Sequence, residues 1–184
     1  DLNLRGANLG EADLSGSRLH GVDLTGANLA GANLTGVNFR FVTTLEGANL
    51  AGAVLTQAGF HRDTTPLNVT GANLKGADLA GANLEGADLR GANLLTVNLR
   101  EADLREADLT RANLQGALLQ GANLERAELK VAHLKGANLE GANLNRADLT
   151  GADLTGADLE GAKADENTAW PEGFDPLAAG VTFE

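Results

Sequence analysis

The side chains of this 184-residue chain that could act in catalysis or bind a metal are three histidines and many carboxylates. The chain contains no cysteine. Without cysteine, disulfides, thiolate zinc sites and cysteine nucleophiles are excluded. The repeat described below places His20 and His61 on one side of a coil, about 10 Å apart, and His133 on another side. Zinc ligands lie about 2.0–2.1 Å from the metal, so His20 and His61 cannot readily share an ion. We therefore predict no metal site.

Aspartates recur along the chain at one position of a short repeat, as at Asp13 and Asp78. Paired carboxylates act as general acid and base only where a pocket separates their pKa values. The sequence contains no nucleophile elbow, phosphate-binding loop or dinucleotide-binding fingerprint. We therefore predict that the chain is not an enzyme, with no catalytic residue, no cofactor-binding residue and no cofactor. The acidic residues are expected to form a solvated ladder.

The elements that position these side chains follow from a five-residue period in leucine. Leucine recurs every five residues from Leu4 to Leu34, and without interruption from Leu74 to Leu159. An alanine usually lies two positions earlier, with Asn or Asp between, which defines the unit A-(N/D)-L-x-x. Thirty-two such units run over residues 2–166, and leucine is the centre of 28 of them.

A period of five fits neither a regular helix nor a flat strand. On a helix, at about 100° per residue, successive leucines would rotate by about 140° and form no common face. In a strand, an odd step sends successive leucines to opposite faces. Leucine and alanine can both point inward only if the chain turns once per unit. The glycine that ends many units tolerates the backbone angles of such a turn, so the period predicts a narrow coil with an apolar interior.

The A-(N/D)-L-x-x units resemble the pentapeptide-repeat family over nearly the whole chain, residues 2–166. The resemblance implies an all-β fold, a right-handed quadrilateral parallel β-helix with four units per coil. Thirty-two units would then form about eight coils, a rod roughly 40 Å long at about 4.8 Å per coil. The stretch W-P-E-G-F-D-P at residues 170–176 resembles the tails of cyanobacterial members.

The repeat changes phase twice, at Val42 and at residues 63–66. One plus four residues equals one unit, so the original phase returns, and four-unit coils would place both insertions at one corner. Phe39 and Phe60, the centres before the insertions, are expected to point inward. The candidate interaction corner comprises Arg40, Phe41, Val42, Arg62, Asp63, Thr64, Thr65 and Pro66.

Loops on a rigid scaffold often carry function, and an exposed aromatic beside arginine is typical of interface hot spots. This corner could therefore bind a carboxylate-bearing surface. The alternative is that the corner merely tolerates insertions, with Phe41 folded over it and Arg40 and Arg62 balancing nearby acids.

The repeat decays towards the C-terminus, and we predict a β-helix over residues 1–166 followed by a C-terminal cap over residues 167–184. A β-helix end otherwise exposes leucines and unpaired strand edges. Asp175 and Pro176 are expected to begin a single helical turn that Gly180 ends. Half of the chain's six aromatic residues lie in this tail, namely Trp170, Phe174 and Phe183.

The N-terminus shows no equivalent cap, because Leu2 already begins a unit. Either a cap was lost, or this edge pairs with another molecule, including a second copy of the chain. No run of about 18 apolar residues is present, so we predict no membrane insertion. We expect a soluble protein, either cytoplasmic or exported to a periplasm or thylakoid lumen after removal of a signal peptide.

The net charge of −11 argues against direct nucleic-acid binding. When every fourth unit is grouped onto one side of the predicted coil, one side carries mostly acidic residues. Another side carries a short basic ladder formed by Arg18, Arg40 and Arg62. The main hypothesis is a non-enzymatic rigid scaffold that binds a protein. The alternative is an acidic DNA mimic acting on DNA gyrase or another nucleic-acid-binding protein, as in some members of the resembled family. Those members are generally longer dimers paired through a C-terminal helix, which this short tail does not match.

Overall fold

The chain winds into a parallel β-helix with twenty residues per coil. The computed structural model describes residues 2–19, 21–37, 39, 44–56, 58 and 68–183. The middle residue of a unit forms a parallel bridge with the residue twenty positions later, as Asn83 does with Asp103 and Asp103 with Asn123. Four such columns define four sides. The columns run from Asn3 to Ala169 on side 1, from Asn8 to Asp153 on side 2, from Asp13 to Asp158 on side 3 and from Asn83 to Lys163 on side 4.

The bridges also show how the two phase changes are absorbed. On side 1, Asp23 pairs with Thr44, 21 residues later, and Thr44 pairs with Asn68, 24 residues later. The twenty-residue step resumes with the bridge between Asn68 and Asp88. Residues 42 and 63–66, where the sequence places the two insertions, lie outside the described residues.

Each corner closes through a residue with positive φ. Gly81 has φ of 64°, and its N–H donates to the carbonyl of Arg100 at 2.9 Å. The following N–H, of Ala82, donates back to the carbonyl of Leu79 at 3.0 Å, which completes the turn. Non-glycine residues adopt the same strained left-handed conformation at Glu11, Thr96, Glu101, Glu106, Arg111, Arg126, Val131 and Arg146.

The interior consists of stacked leucine and alanine side chains, as the five-residue period predicts. Leu104 is 0% exposed and Ala102 is 1% exposed. Phe39 is also buried, which confirms its inward direction, whereas Phe60 lies outside the described residues. Burying a leucine side chain contributes about 1.5–3 kcal/mol, so the leucine columns are the main source of stability.

The tail after residue 166 packs on the last coil. The strands β1 (Lys163–Ala164) and β2 (Thr182–Phe183) pair in parallel, with Lys163 opposite Thr182. Trp170 and Phe174 are partly buried against the core and stack with ring centroids 5.3 Å apart. Val181 is buried, while Phe183 in β2 is 48% exposed, so Val181 contributes more to covering the core than Phe183 does.

A single turn follows in the tail where the sequence predicts it. The side-chain Oδ1 of Asp175 accepts the N–H of Ala178 at 3.1 Å, and its carbonyl accepts the N–H of Ala179 at 3.2 Å. Gly180 ends the turn with φ of 83°. The predicted start at Asp175 and end at Gly180 are both confirmed.

Candidate functional site

Side 2 carries a continuous ladder of asparagine side chains. The Nδ2 of each asparagine donates to the Oδ1 of the asparagine one coil earlier, at distances from 2.9 to 3.5 Å. Each Oδ1 also accepts the backbone N–H two residues later, as Asn93 does from Leu95 at 3.3 Å. This second bond fixes the orientation of every amide in the ladder. Its members are Asn8, Asn28, Asn49, Asn73, Asn93 and Asn113.

The ladder stops after Asn113, where the column continues with His133 and Asp153. At the corner between sides 1 and 2, Arg111 and Val131 occupy successive levels in place of glycine, with φ of 60° and 57°. A shallow depression of about 450 Å³ lies on this part of side 2. It is lined by Arg111, Asn113, Gln115, His133, Lys135 and Asp153. We call it the side 2 depression.

The side 2 depression holds one carboxylate and two cations. A side-chain hydrogen bond from Thr155 has the largest effect in lowering the pKa of Asp153. The Thr155 backbone N–H, at 3.0 Å from Oδ1, and the positive charges of Lys135 and His133 add to it. Asp153 therefore stays ionised at neutral pH. The two fixed cations, Arg111 and Lys135, thus outnumber the one carboxylate of the depression in a chain whose net charge is −11.

The cations of this depression differ from those on sides 1 and 4. Among the described residues, neither Arg111 nor Lys135 has a carboxylate oxygen within ion-pair distance. By contrast, cations on sides 1 and 4 pair with acids beside them. Examples are Arg90 with Asp88 at 2.6 Å, Arg105 with Asp103 at 2.6 Å and Lys130 with Asp148 at 3.1 Å. The donors of Arg111 and Lys135 are thus available to a partner.

A second depression, of about 280 Å³, adjoins the first at the C-terminal end of side 2. It lies between residues 152–155 and residues 171–174 of the tail, and Asp153 belongs to both depressions. Its lining includes the apolar side chains of Leu154 and Phe174 and the carboxylate of Glu172. The end of side 2 therefore offers both charged and apolar contacts.

Comparison with known proteins identifies the family. The model of pentapeptide repeats matches in eight copies, over residues 3–40, 68–105, 98–135 and 127–163. This chain belongs to the pentapeptide-repeat family. HetL, a pentapeptide-repeat protein involved in heterocyst differentiation regulation in the cyanobacterium Nostoc sp. strain PCC 7120, has 34% sequence identity and a TM-score of 0.67. That match covers 87% of this chain and 79% of HetL.

A second cyanobacterial pentapeptide-repeat structure is also similar to this protein. The pentapeptide-repeat protein alr5209 from Nostoc PCC 7120 has 46% identity and a TM-score of 0.55, covering 55% of this chain and 84% of alr5209. No functionally curated protein matches. Known right-handed β-helix structures are thus the structural relatives of this protein, and members of the family generally serve as structural or interaction modules.

The predicted interaction corner of this pentapeptide-repeat protein, at residues 40–42 and 62–66, lies outside the described residues, as do His20 and His61. His133 lies exposed on side 2. In the part of the chain that the structure describes, no three His, Asp or Glu residues lie close enough to hold a metal ion. Among the same residues, no helix has the length and apolar character needed to cross a membrane.

The predicted acidic side is present as side 3. Asp13, Asp78 and Asp158 share its bridge column, although Val54 and Leu118 interrupt that column. The side 2 depression, in contrast, is absent from the sequence-based predictions. The signal that could reveal it is the replacement of the corner glycine at Arg111 and Val131 and of the ladder asparagine at His133 and Asp153, once the units are aligned in steps of twenty.

Proposed function

We propose that this pentapeptide-repeat protein is a non-enzymatic, rigid scaffold that binds another protein through the side 2 depression. The observation that carries the proposal is that two cations, Arg111 and Lys135, line one depression of an acidic chain and form no ion pair among the described residues. A guanidinium presents a planar fork of donors that matches a carboxylate, so the partner surface we propose is acidic.

The scaffold suits such binding because its surface is already ordered. Every level of side 2 is held by backbone hydrogen bonds of about 2.7–3.2 Å, as between Leu114 N–H and the His133 carbonyl at 2.8 Å. A preordered surface loses little conformational entropy on association. Val131, at the corner that precedes His133, is 49% exposed and adds apolar contact area to this part of the surface.

The test is capture of partners from extracts of the source organism, followed by a binding assay with each purified partner. Replacing Arg111 and Lys135 together by glutamate should abolish binding to the acidic partner. The control carries the same charge change at Lys75 and Arg100, which also lack ion pairs among the described residues and lie outside the depression. If both double variants bind the partner as the natural protein does, the side 2 depression is not the docking site.

The proposal includes the extent of the scaffold, namely about eight coils over residues 1–166 and a cap over residues 167–184. The partial burial of Trp170 and Phe174 against the core and the pairing of β2 with β1 support the cap. Removing residues 168–184 should expose the last coil and promote association. A truncated protein that stays monomeric, with unchanged thermal unfolding, would refute the cap.

Two further predictions belong to the same scaffold. The corner at residues 40–42 and 62–66 stays a candidate docking site, and deleting Val42 with residues 63–66 should preserve the phase and the fold while losing any partner bound there.

The DNA-mimic alternative rests on side 3, whose acidic residues outnumber its one cation, Arg100. Inhibition of DNA gyrase supercoiling by the purified protein would support that alternative.

A further inference from the structure

The last level of side 2 is an open strand edge. One level earlier, Leu134 N–H donates to the Asp153 carbonyl and Asp153 N–H donates to the Ala132 carbonyl, both at 2.9 Å. At the final level, among the residues that the structure describes, the N–H of Leu154 and the carbonyl of Ala152 have no backbone partner. The pattern of donors and acceptors is therefore interrupted at this level of side 2.

Among the described residues, the tail supplies the missing pairing on sides 1 and 4 but forms no bridge to the last level of side 2. On side 1, Ala169 N–H donates to the Ala147 carbonyl at 2.9 Å, and on side 4, Thr182 N–H donates to the Ala162 carbonyl at 2.8 Å. Between these points, residues 171–174 stand away from the edge and leave the depression of about 280 Å³. The edge is thus left open beside a space large enough to admit a chain.

The burial of the last level shows the same opening. Leu154 and Ala152 are 8% and 7% exposed, whereas Leu134 and Ala132, one level earlier on the same side, are 0% and 1% exposed. Unpaired backbone groups next to partly exposed apolar side chains are the features used in recognition by strand addition.

We propose that this edge binds an extended peptide segment of a partner protein, which adds one further level to side 2. All bridges of the described chain are parallel, so the segment runs parallel to residues 152–156. Its central residue donates its N–H to the Ala152 carbonyl and accepts the N–H of Leu154. The carbonyl two residues after the central residue accepts the N–H of Gly156, as the Thr155 carbonyl, two residues after Asp153, accepts that of Gly136 one level earlier at 3.0 Å.

The charge of the edge specifies the class of peptide. In the ladder, each side chain donates to the acceptor one level earlier, as Asn93 does to Asn73 at 3.0 Å. The acceptor at the last level is the carboxylate of Asp153, and Glu172 lies in the same depression. The central residue of the segment is therefore basic, and its two neighbours are aliphatic because Ala152 and Leu154 point inward. This site adjoins the proposed contact of Arg111 and Lys135 with an acidic surface and shares Asp153 with it, but its hydrogen-bonding groups are those of residues 152–156.

The experiment titrates the ¹⁵N-labelled full chain with the peptide acetyl-Ser-Ala-Lys-Leu-Thr-Gly-amide and follows backbone amides by NMR. We expect the amide signals of Leu154 and Gly156 to shift and their hydrogen exchange to slow. A peptide N-methylated at its lysine amide cannot donate to the Ala152 carbonyl, so its affinity should fall about fivefold or more. A peptide with glutamate in place of lysine should bind more weakly by a similar factor.

The variant Asp153→Lys should reverse the preference from the lysine to the glutamate peptide. The matched control, Asp158→Lys, changes an exposed aspartate of side 3 and should leave the preference unchanged, while unchanged spectra elsewhere show that both variants fold. Equal binding of the N-methylated peptide, or shifts confined to Arg111 and Lys135, would overturn the proposal. Concentration-dependent broadening of the Leu154 amide without peptide would also overturn it, because a second copy would then be the occupant.

Discussion

Asn93→Asp is a nearly isosteric change that tests the asparagine ladder directly. In the natural protein, Asn93 Nδ2 donates to Asn73 Oδ1 at 3.0 Å, and Asn93 Oδ1 accepts the Leu95 N–H at 3.3 Å. The substitution keeps the second bond but puts a carboxylate oxygen against the carbonyl oxygen of Asn73. Asn73 cannot rotate its amide in response, because its Oδ1 also accepts the Lys75 N–H at 3.3 Å.

The expected cost has two parts. Loss of the hydrogen bond costs about 1 kcal/mol, and the facing acceptors, partly withdrawn from water, add a similar amount, so we expect a loss of about 2 kcal/mol at pH 7. The same substitution at Asn113 breaks only the longest bond of the ladder, at 3.5 Å, and places the carboxylate next to His133 in the column. Asn113→Asp should therefore cost less than about 0.5 kcal/mol.

The cost of Asn93→Asp should also depend on pH. A protonated carboxyl can donate to Asn73 Oδ1, so the pKa of the introduced group is higher in the folded than in the unfolded protein. The folded state then binds more protons between the two pKa values, and the loss of stability relative to the natural protein shrinks as pH falls through this interval.

The assay is urea unfolding followed by circular dichroism at pH 7 and at pH 4, with the natural protein measured at each pH. Equal losses for Asn93→Asp and Asn113→Asp would refute the directional ladder. A loss that grows as pH falls would refute the inferred protonation.

Three further predictions concern the core, the corners and the surface charges. Leu104→Ala should lower the free energy of unfolding by about 2–5 kcal/mol in urea, and Thr110→Ala by less than about 0.5 kcal/mol; similar losses would contradict the assignment of inside and outside. Val131→Asn should raise the free energy of unfolding by about 0.5–1 kcal/mol, because asparagine tolerates φ of 57° better than a β-branched residue; a lower unfolding midpoint would contradict this. Hydrogen bonds from neighbouring arginines hold the pKa of Asp88 and of Asp103 below the ordinary 3.8. The stability they add is present above that pH and is lost as pH falls through the folded pKa values, and constant stability between pH 4 and pH 2 would contradict it.

The sequence predicts the coil well because its period is local. Leu104 and Ala102 are buried as expected, since only an inward Leu and Ala with a turn after each unit satisfies a five-residue step. The turn at Asp175 is also local, because its side chain caps a backbone N–H three residues later.

The side 2 depression is not predicted from the local sequence because it depends on residues twenty positions apart. Arg111 and Val131 interrupt a glycine column, and His133 and Asp153 interrupt the ladder, but these departures look unrelated until the coil aligns them. The open edge at Leu154 depends on where the tail passes, which the repeat does not determine.

The common orientation of the ladder amides gives side 2 a net dipole along the axis of the β-helix. From Asn8 to Asn113 the side-chain dipoles point the same way, with N–H groups towards the first coils and carbonyl oxygens towards the last. Aligned dipoles sum, as they do along an α-helix, and leave partial negative charge at the carbonyl end. That end faces His133 and adjoins Arg111 and Lys135. The aligned amides thus lower the energy of two neighbouring positive charges that form no ion pair among the described residues, and this favours both charges at the position where we propose that an anion binds.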